Sequence, residues 1–329
     1  MLKRLIHYIE STWYRPNSRV SLILKPLSLF YQFLLPYWIR HQKKKQINFK
    51  VPLIVVGNIT VGGTGKTPTI IFLAKQLIKA GFQPAIVSRG YQASLSSQFP
   101  ILVQGHHSAE DVGDEPFMIY KRTRVPVMIC SNRPKAVSAL LEMSDKIDIV
   151  LSDDGLQHYS MGRDIEIAVI DGDKRMGNGL LLPAGPLREP ISRLKTVDFI
   201  ISQNHALKGE YQFNLEGKIL FSVNNPGISK DISEFRNLPV HAVAGIGNPH
   251  RFFKKLNANG LKVIPHIFSD HYFFKQQDLE FNTNDPIIMT EKDAVKCQSF
   301  DLKDAWYLPV EAQFEPEFII QFMKRLNHG

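Results

Sequence analysis

Val56-Gly57-Asn58-Ile59-Thr60-Val61-Gly62-Gly63-Thr64-Gly65-Lys66-Thr67-Pro68 joins the end of one apolar stretch to the start of an amphipathic one. Val51–Val56 reads as a short buried strand stopped by Gly57, and Lys66–Lys79 reads as a helix closed by Gly81. Glycines between a strand and a helix let backbone N–H groups turn inward around phosphate oxygens, and the helix N-terminus adds its positive end. Thr60, Val61, Gly62, Gly63, Thr64, Gly65, Lys66 and Thr67 therefore form a candidate P-loop for ATP. In that loop Lys66 reaches the β- and γ-phosphates and the Thr67 hydroxyl holds Mg²⁺. The generic fingerprint has glycine five places before Gly65; Thr60 stands there, and the extra glycines at 62 and 63 make this a variant loop.

Outward from the loop, short apolar runs alternate with helix-like segments. Ala85–Ser88, Val125–Ile129, Ile147–Leu151, Ile165–Ile170 and Phe199–Ser202 read as strands, with a helix over Arg133–Glu142. Fully apolar strands alternating with helices predict a P-loop NTPase-like parallel sheet covered on both faces. After Phe221–Val223 the pattern restarts: strand Val240–Ala244, helix His250–Ala258 ended by Gly260, and strands Lys262–Ile267 and Ile287–Thr290. A second, smaller α/β lobe is therefore expected over 237–329, after a kinase-type lobe over 46–236, with the C-terminal helix free to return to the first lobe. Two lobes suit a chain of 329 residues, longer than the usual single domain.

Four further clusters carry candidate chemistry. Asp153-Asp154 follows the apolar run 147–151, where a P-loop enzyme keeps the acid that organises its metal; Asp153 is the better candidate, although Asp154-Gly155 also reads as a turn. Asp114-Glu115 opens a helix, and read alone Asp114 is equally a capping acid. His271 stands by itself in the second lobe, where a lone histidine is most often structural. Arg133 and Arg188 are candidate phosphate clamps, because a guanidinium matches phosphate oxygens bidentately; each reads equally as a surface ion pair. Arg188 lies in the proline-rich run Leu182–Pro190.

The net charge of +9 is localised, since residues 1–50 hold ten basic side chains and the single acid Glu10 while the remainder is neutral. Leu2, Leu5, Ile6, Ile9 and Trp13 share one helical face, as do Ile23, Leu27, Phe30, Leu34 and Trp38. Lys25, Gln32, Pro26 and Pro36 make 20–39 a poor spanning segment. Residues 1–45 are instead read as two amphipathic helices lying at an anionic membrane surface, with Pro26 and Pro36 interrupting or kinking the second. The alternative is that both helices pack on the protein's own core. No small-x-small cleavage site follows, so a removed signal peptide is not expected. A nucleic-acid enzyme would spread positive charge around its site, and no nucleic acid or obligate protein partner is expected. Cys130 and Cys297 show neither a disulfide framework nor metal-ligand spacing.

Together the motifs VGNITVGGTGKTP (56–68), SRGY (88–91), VGDEP (112–116), LSDDGLQH (151–158), LLPAGPLREP (181–190), SDHY (269–272) and TEKDAVK (290–296) resemble the tetraacyldisaccharide 4′-kinase family. The resemblance implies ATP, Mg²⁺, an acylated glucosamine disaccharide 1-phosphate as acceptor, and action at the cytoplasmic face of the inner membrane. By motif it assigns nucleotide and Mg²⁺ to Lys66 and Thr67, completes the metal site with Asp153 or Asp154, and makes Asp114 a catalytic base working with His271. Tyr91, Arg133, Gln157 and Arg188 fall in its active-site motifs. Gln92 departs from the pattern, since glycine is expected after Tyr91. Two other readings compete: a P-loop regulatory switch, whose usual lysine before the paired glycines is replaced here by Val61, and a soluble small-molecule kinase with purely structural N-terminal helices.

Overall fold

The computed structural model describes residues 2–15, 18–95 and 98–327. In chain order the first part comprises α1 (Leu2–Thr12), α2 (Arg19–Lys43), β1 (Leu53–Gly57), α3 (Lys66–Lys79), β2 (Pro84–Ser88), β3 (Ile101–Leu102), α4 (Ala109–Val112), α5 (Asp114–Thr123), β4 (Val127–Ile129), α6 (Arg133–Met143), β5 (Ile149–Asp153), β6 (Ile165–Asp171), β7 (Phe199–Gln203) and β8 (Tyr211–Glu216). It continues with β9 (Ile219–Ser222), β10 (Ser229–Asp231), β11 (Pro239–Ala244), α7 (Pro249–Ala258), β12 (Lys262–Ile267), β13 (Ile287–Thr290), α8 (Glu291–Ala294), β14 (Ala305–Leu308), β15 (Glu311–Phe314) and α9 (Pro316–Asn327).

Among the described residues nine strands form one sheet in the order β15-β8-β7-β6-β1-β5-β2-β4-β3. β1 lies parallel between β5 and β6, and only the two edge strands, β3 and β15, pair antiparallel to their neighbours. Central strands of such a sheet are apolar on both sides because helices cover both faces. On one face α3, α5 and α9 bury Ile70, Leu73, Phe117, Phe318 and Phe322 against Ile54, Ile86 and Ile167. On the other, α6 and the 156–187 region bury Ala136, Val137, Leu140 and Leu187 against Val55, Val87 and Ala168.

The second sheet runs β10-β9-β14-β13-β11-β12. The expected boundary at 236/237 therefore falls too late: β9 and β10 already belong to this sheet, because β9 pairs with β14 far along the chain. The chain then leaves the lobe again, β15 pairing with β8 and α9 packing its phenylalanines on the first core.

α2 runs unbroken for 25 residues through Pro26 and Pro36, so the prolines do not interrupt it. It turns Ser21, Ser28 and Leu35 toward the protein. Ser28 Oγ donates to the Leu181 carbonyl at 2.7 Å and Tyr31 OH donates to the Arg188 carbonyl at 2.8 Å. Ser21 Oγ accepts from Asn178 Nδ2 at 3.1 Å, so this face of the helix meets polar groups of the 178–188 loop. The stripe Ile23, Leu27, Phe30, Leu34 and Trp38 stays exposed, Ile23 at 76 %. α2 is long and apolar enough, by length and composition, to cross a membrane, with 11 % of its apolar window buried in the protein. The side chains of Leu2 and Leu5 in the first stripe lie outside the described residues; Trp13 is buried, its indole N–H donating to the Pro183 carbonyl.

Candidate active site

The C-terminal ends of β1, β5 and β2 converge, which is where an open α/β sheet places its ligand crevice. From β1 the chain enters the loop over 58–65 and turns into α3 at Gly65, which caps the helix with φ +93°. A β-carbon on Gly65 would sit 3.0 Å from the Phe213 ring, so that turn needs glycine twice over, for backbone sign and for space. Gly62 and Gly63 face open space. The other flank of the loop is paired: Val61 N–H donates to the Pro186 carbonyl and Arg188 N–H to that of Ile59. The proline-rich run thus stiffens the P-loop as if it were a neighbouring strand.

Asp153 is the last residue of β5 and accepts from Ser88 Oγ at 3.1 Å. Burial pushes its carboxyl up to about 7, with Glu115 and Asp154 adding to the rise and Lys66 and Arg133 opposing it. Asp154 follows with φ +48°, pairing with Lys66 at 3.5 Å and Arg188 at 3.1 Å. Burial works against its charge, but Lys66, Arg188 and Arg133 outweigh burial and hold it well below the ordinary carboxylate range. Arg188 also donates to Gln157 Oε1 at 3.3 Å, while Gln157 Nε2 donates to the Asn58 carbonyl and to Glu189. Gln157 is thus the tie that orients Arg188 beside the loop.

Arg133 is not brought into the crevice. It is fully buried beneath it, Nη1 donating to the Cys130 carbonyl at 2.8 Å and Nη2 to the Asp153 carbonyl at 3.1 Å. The phosphate-clamp expectation fails for it because a side chain with no exposure cannot meet a diffusing ligand. Burial lowers its guanidinium to about 10, against the pull of Asp153 and Asp154, so it is still a cation at neutral pH. It braces the end of β5.

Across the crevice Gly113, φ +92°, starts α5 with Asp114 as its first helical residue. A β-carbon there would press the Tyr91 carbonyl at 3.0 Å. Asp114 Oδ1 accepts from the Glu115 N–H at 2.8 Å, and the helix N-terminus favours its negative charge. From the second lobe His271, φ +56°, places Nδ1 at 2.9 Å from Asp114 Oδ2. The two lobes therefore meet at this pair. Burial raises the Asp114 carboxyl, but the His271 hydrogen bond and the charges of Lys292, His271 and Lys296 bring it below the usual value. Burial lowers the imidazole of His271, Lys292 adds to that, and Asp114 and Asp270 reverse it to a net rise. Tyr91, largely exposed, sets its ring edge on to His271 at 5.0 Å. Gln92 next to it has φ +58°, the backbone a glycine would adopt freely, so the departure changes the residue and not the turn.

Sequence reading gave no role to Lys292, Ser88 or Arg251. Arg251 of α7 crosses the lobes to Gln203 at 2.7 Å and Asp173 at 2.6 Å. A β-carbon on Gly247 would lie 3.9 Å from the Gly63 nitrogen, so the second lobe overhangs the P-loop. TEKDAVK was the available signal for Lys292 and SRGY for Ser88; nothing local marks Arg251.

The residues present fit a phosphate-bound divalent cation. Thr67, Asp153 and Asp154 offer only hard oxygen donors, which suit Mg²⁺. The Thr64 hydroxyl and Asn58 Oδ1 are buried beside them with no hydrogen-bond partner, as expected of groups placed for a ligand.

A phosphate loop backed by strand-end carboxylates, facing an aspartate–histidine pair from the opposite lobe, defines a P-loop phosphotransferase. The sequence profile of tetraacyldisaccharide-1-P 4′-kinase matches residues 20–327. Among curated proteins the chain is 44% identical over 323 residues to the tetraacyldisaccharide 4′-kinase of Coxiella burnetii (strain RSA 331), covering 96% of this chain and 94% of that one. It is 45% identical over 314 residues to the Legionella pneumophila (strain Corby) protein of the same name, covering 94% and 95%. Among solved structures, the Aquifex aeolicus LpxK in complex with ATP superposes with TM-score 0.76 at 27% identity, covering 93% of this chain and 99% of that one. The chain belongs to the tetraacyldisaccharide-1-P 4′-kinase family, which phosphorylates the lipid A precursor.

Proposed function

We propose that this chain transfers the γ-phosphoryl group of ATP to the 4′-hydroxyl of a tetraacyldisaccharide 1-phosphate at the cytoplasmic face of the inner membrane. The observation that carries the reading is the Asp114–His271 contact, 2.9 Å long and made across the lobes, on the same crevice as Lys66 and Asp153. Backbone N–H groups of 62–66 and the Lys66 ammonium take the phosphates, Lys66 exchanging its Asp154 partner for the nucleotide. Thr67, Asp153 and Asp154 would hold Mg²⁺, which supplies charge neutralisation on the phosphate oxygens when bound. Arg188, oriented by Gln157, faces the charge that builds on the transferring group. The acceptor oxygen bonds to phosphorus as the bond to the β-phosphate oxygen breaks and ADP leaves. The hydroxyl proton passes to Asp114, whose carboxylate His271 orients through Nδ1–H.

Membrane association is supported by α2, whose outward stripe is apolar and whose end carries Arg40, Lys43, Lys44 and Lys45. Its hydrogen bonds to the carbonyls of Leu181 and Arg188 tie that helix to the loop presenting Arg188, so lipid contact and phosphate reading share one support.

The test incubates purified chain with labelled ATP and tetraacyldisaccharide 1-phosphate in mixed micelles, following label into the lipid. Transfer to the 4′-position, lost in Lys66→Ala, is expected. ATP hydrolysis with no label in the lipid rejects the reading.

A further inference from the structure

Lys292 stands on α8 in TEKDAVK, and its ammonium touches both lobes. Nζ lies 3.0 Å from Glu115 Oε1, 3.2 Å from Asp270 Oδ1 and 3.3 Å from His271 Nε2, with Asp114 Oδ2 at 3.9 Å. Glu115 and Asp114 belong to the first lobe; Asp270 and His271 belong to the second. An ammonium has three N–H donors and no acceptor, and these three acceptors use all of them.

The helix that carries Lys292 is itself pinned. Asp293, fully buried, accepts from the Gly245 N–H at 2.9 Å and the Thr290 hydroxyl at 2.6 Å, and from Lys296 at 2.7 Å. Arg122 of α5 pairs with Glu291 at 2.7 Å, holding α8 against the helix that begins with Asp114. The side chain of Lys292 is 15% exposed, too little to serve as a solvated surface charge.

We propose that Lys292 is a positioning residue for phosphoryl transfer: it joins Asp114 and His271 into one hydrogen-bonded unit and fixes the imidazole tautomer with Nδ1–H toward Asp114. This rests on reading Asp114–His271 as the proton-handling pair. A lysine cannot accept, so its contact with Nε2 requires that nitrogen to be unprotonated, which leaves the single proton of the neutral ring on Nδ1. The tautomer that orients the Asp114 carboxylate is thereby set from the far side of the ring. The charge of Lys292 also opposes protonation of both partners, and Glu115, Asp114 and Asp270 keep it firmly protonated despite burial. The other charged groups facing the pair are Glu115, Asp270 and Lys296.

The test measures kcat against pH for the full chain and for Lys292→Met, Lys292→Gln and Lys292→Arg. An opposite charge within ~4–6 Å lowers a carboxylate by about 1–3 pH units, so losing Lys292 raises Asp114, and losing a like charge raises His271 as well. The acid limb should therefore move up by about 1–3 pH units in Lys292→Met, with KM for ATP unchanged, and return close to wild type in Lys292→Arg. Lys292→Gln keeps a donor for Glu115 and Asp270 and gives the same readout if the methionine variant does not fold. ¹⁵N NMR of the imidazoles at pH 8.5 needs no variant and should show His271 with its proton on Nδ1. A proton on Nε2, or an unmoved acid limb in a folded Lys292→Met or Lys292→Gln, overturns the inference. Near-wild-type kcat in Asp114→Asn would instead reject the underlying pair, whatever Lys292 does.

Discussion

Replacing Arg133 by methionine, which fills much of the same volume, separates two roles that the residue name alone cannot. The guanidinium is fully buried and donates to the carbonyls of Cys130 and Asp153 at 2.8 and 3.1 Å. Hydrogen bonds from a charged donor contribute about 1.5–3 kcal/mol each. Deleting the guanidinium leaves those two buried backbone carbonyls without that donor, at a cost of about 1–3 kcal/mol for each group left unpaired. The two figures describe overlapping effects and do not add, so losing both bonds is expected to cost about 3 kcal/mol or more. That is a large part of the ~5–15 kcal/mol by which native proteins are stable. In urea unfolding, with a slope of about 3 kcal/mol per molar for a chain of this size, the midpoint should fall by about 1 M or more. Arg133→Lys, which keeps the charge and loses the fork, should fall between. A phosphate clamp would behave in the opposite way, with KM for ATP raised about tenfold or more and the midpoint unmoved. An Arg133→Met protein of wild-type stability with that KM would refute the bracing role.

Asp114→Asn and His271→Ala should each lower kcat strongly, and the double variant should be little worse than the poorer single, because residues acting as a unit are non-additive. The pair also has a pH signature in stability. Asp114 is held below its ordinary 3.8, so its contribution is present above 3.8 and lost as pH falls through the lowered value; His271 is held above 6.5, so its contribution is present below 6.5 and lost as pH rises through the raised value. The stability gap between wild type and the double variant, measured by urea unfolding across pH, should be widest between those two values, and a flat difference would count against the ion pair. Gln92→Gly relieves a left-handed backbone that costs a side chain about 1–2 kcal/mol, offset in part by glycine's extra freedom when unfolded; the urea midpoint should stay level or rise and kcat should hold. Phe30→Asp and Leu34→Asp change exposed residues of α2, so sedimentation with anionic vesicles should weaken while the unfolding midpoint stays put. Wild-type binding should itself weaken as salt rises.

Local order around the phosphate loop was legible from residue letters because its causes are local. Apolar runs of strand length, the glycines of 62–65 and the helix from Lys66 to Lys79 each follow from steric and capping rules acting within a few residues. Asp153 at a strand end followed in the same way. Asp114 and His271 were bland when read singly and were paired only through the family resemblance, since 157 positions separate them along the chain.

What the letters did not carry is burial and long-range pairing. Arginine is written alike on a surface and beneath a sheet, so Arg133 looked like Arg188 until packing placed one under β5 and the other beside Asp154. Nothing in the letters says which side of α2 meets the protein: Ser28 donates to the Leu181 carbonyl and Ser21 accepts from Asn178, while the apolar stripe faces outward. The lobe boundary near Glu216 and the return of β15 and α9 depend on strands finding partners far along the chain, a choice made by whole-sheet burial. Lys292 shows the same limit most directly: its environment is four side chains drawn from two lobes, and charge at that density exists only once the chain has folded.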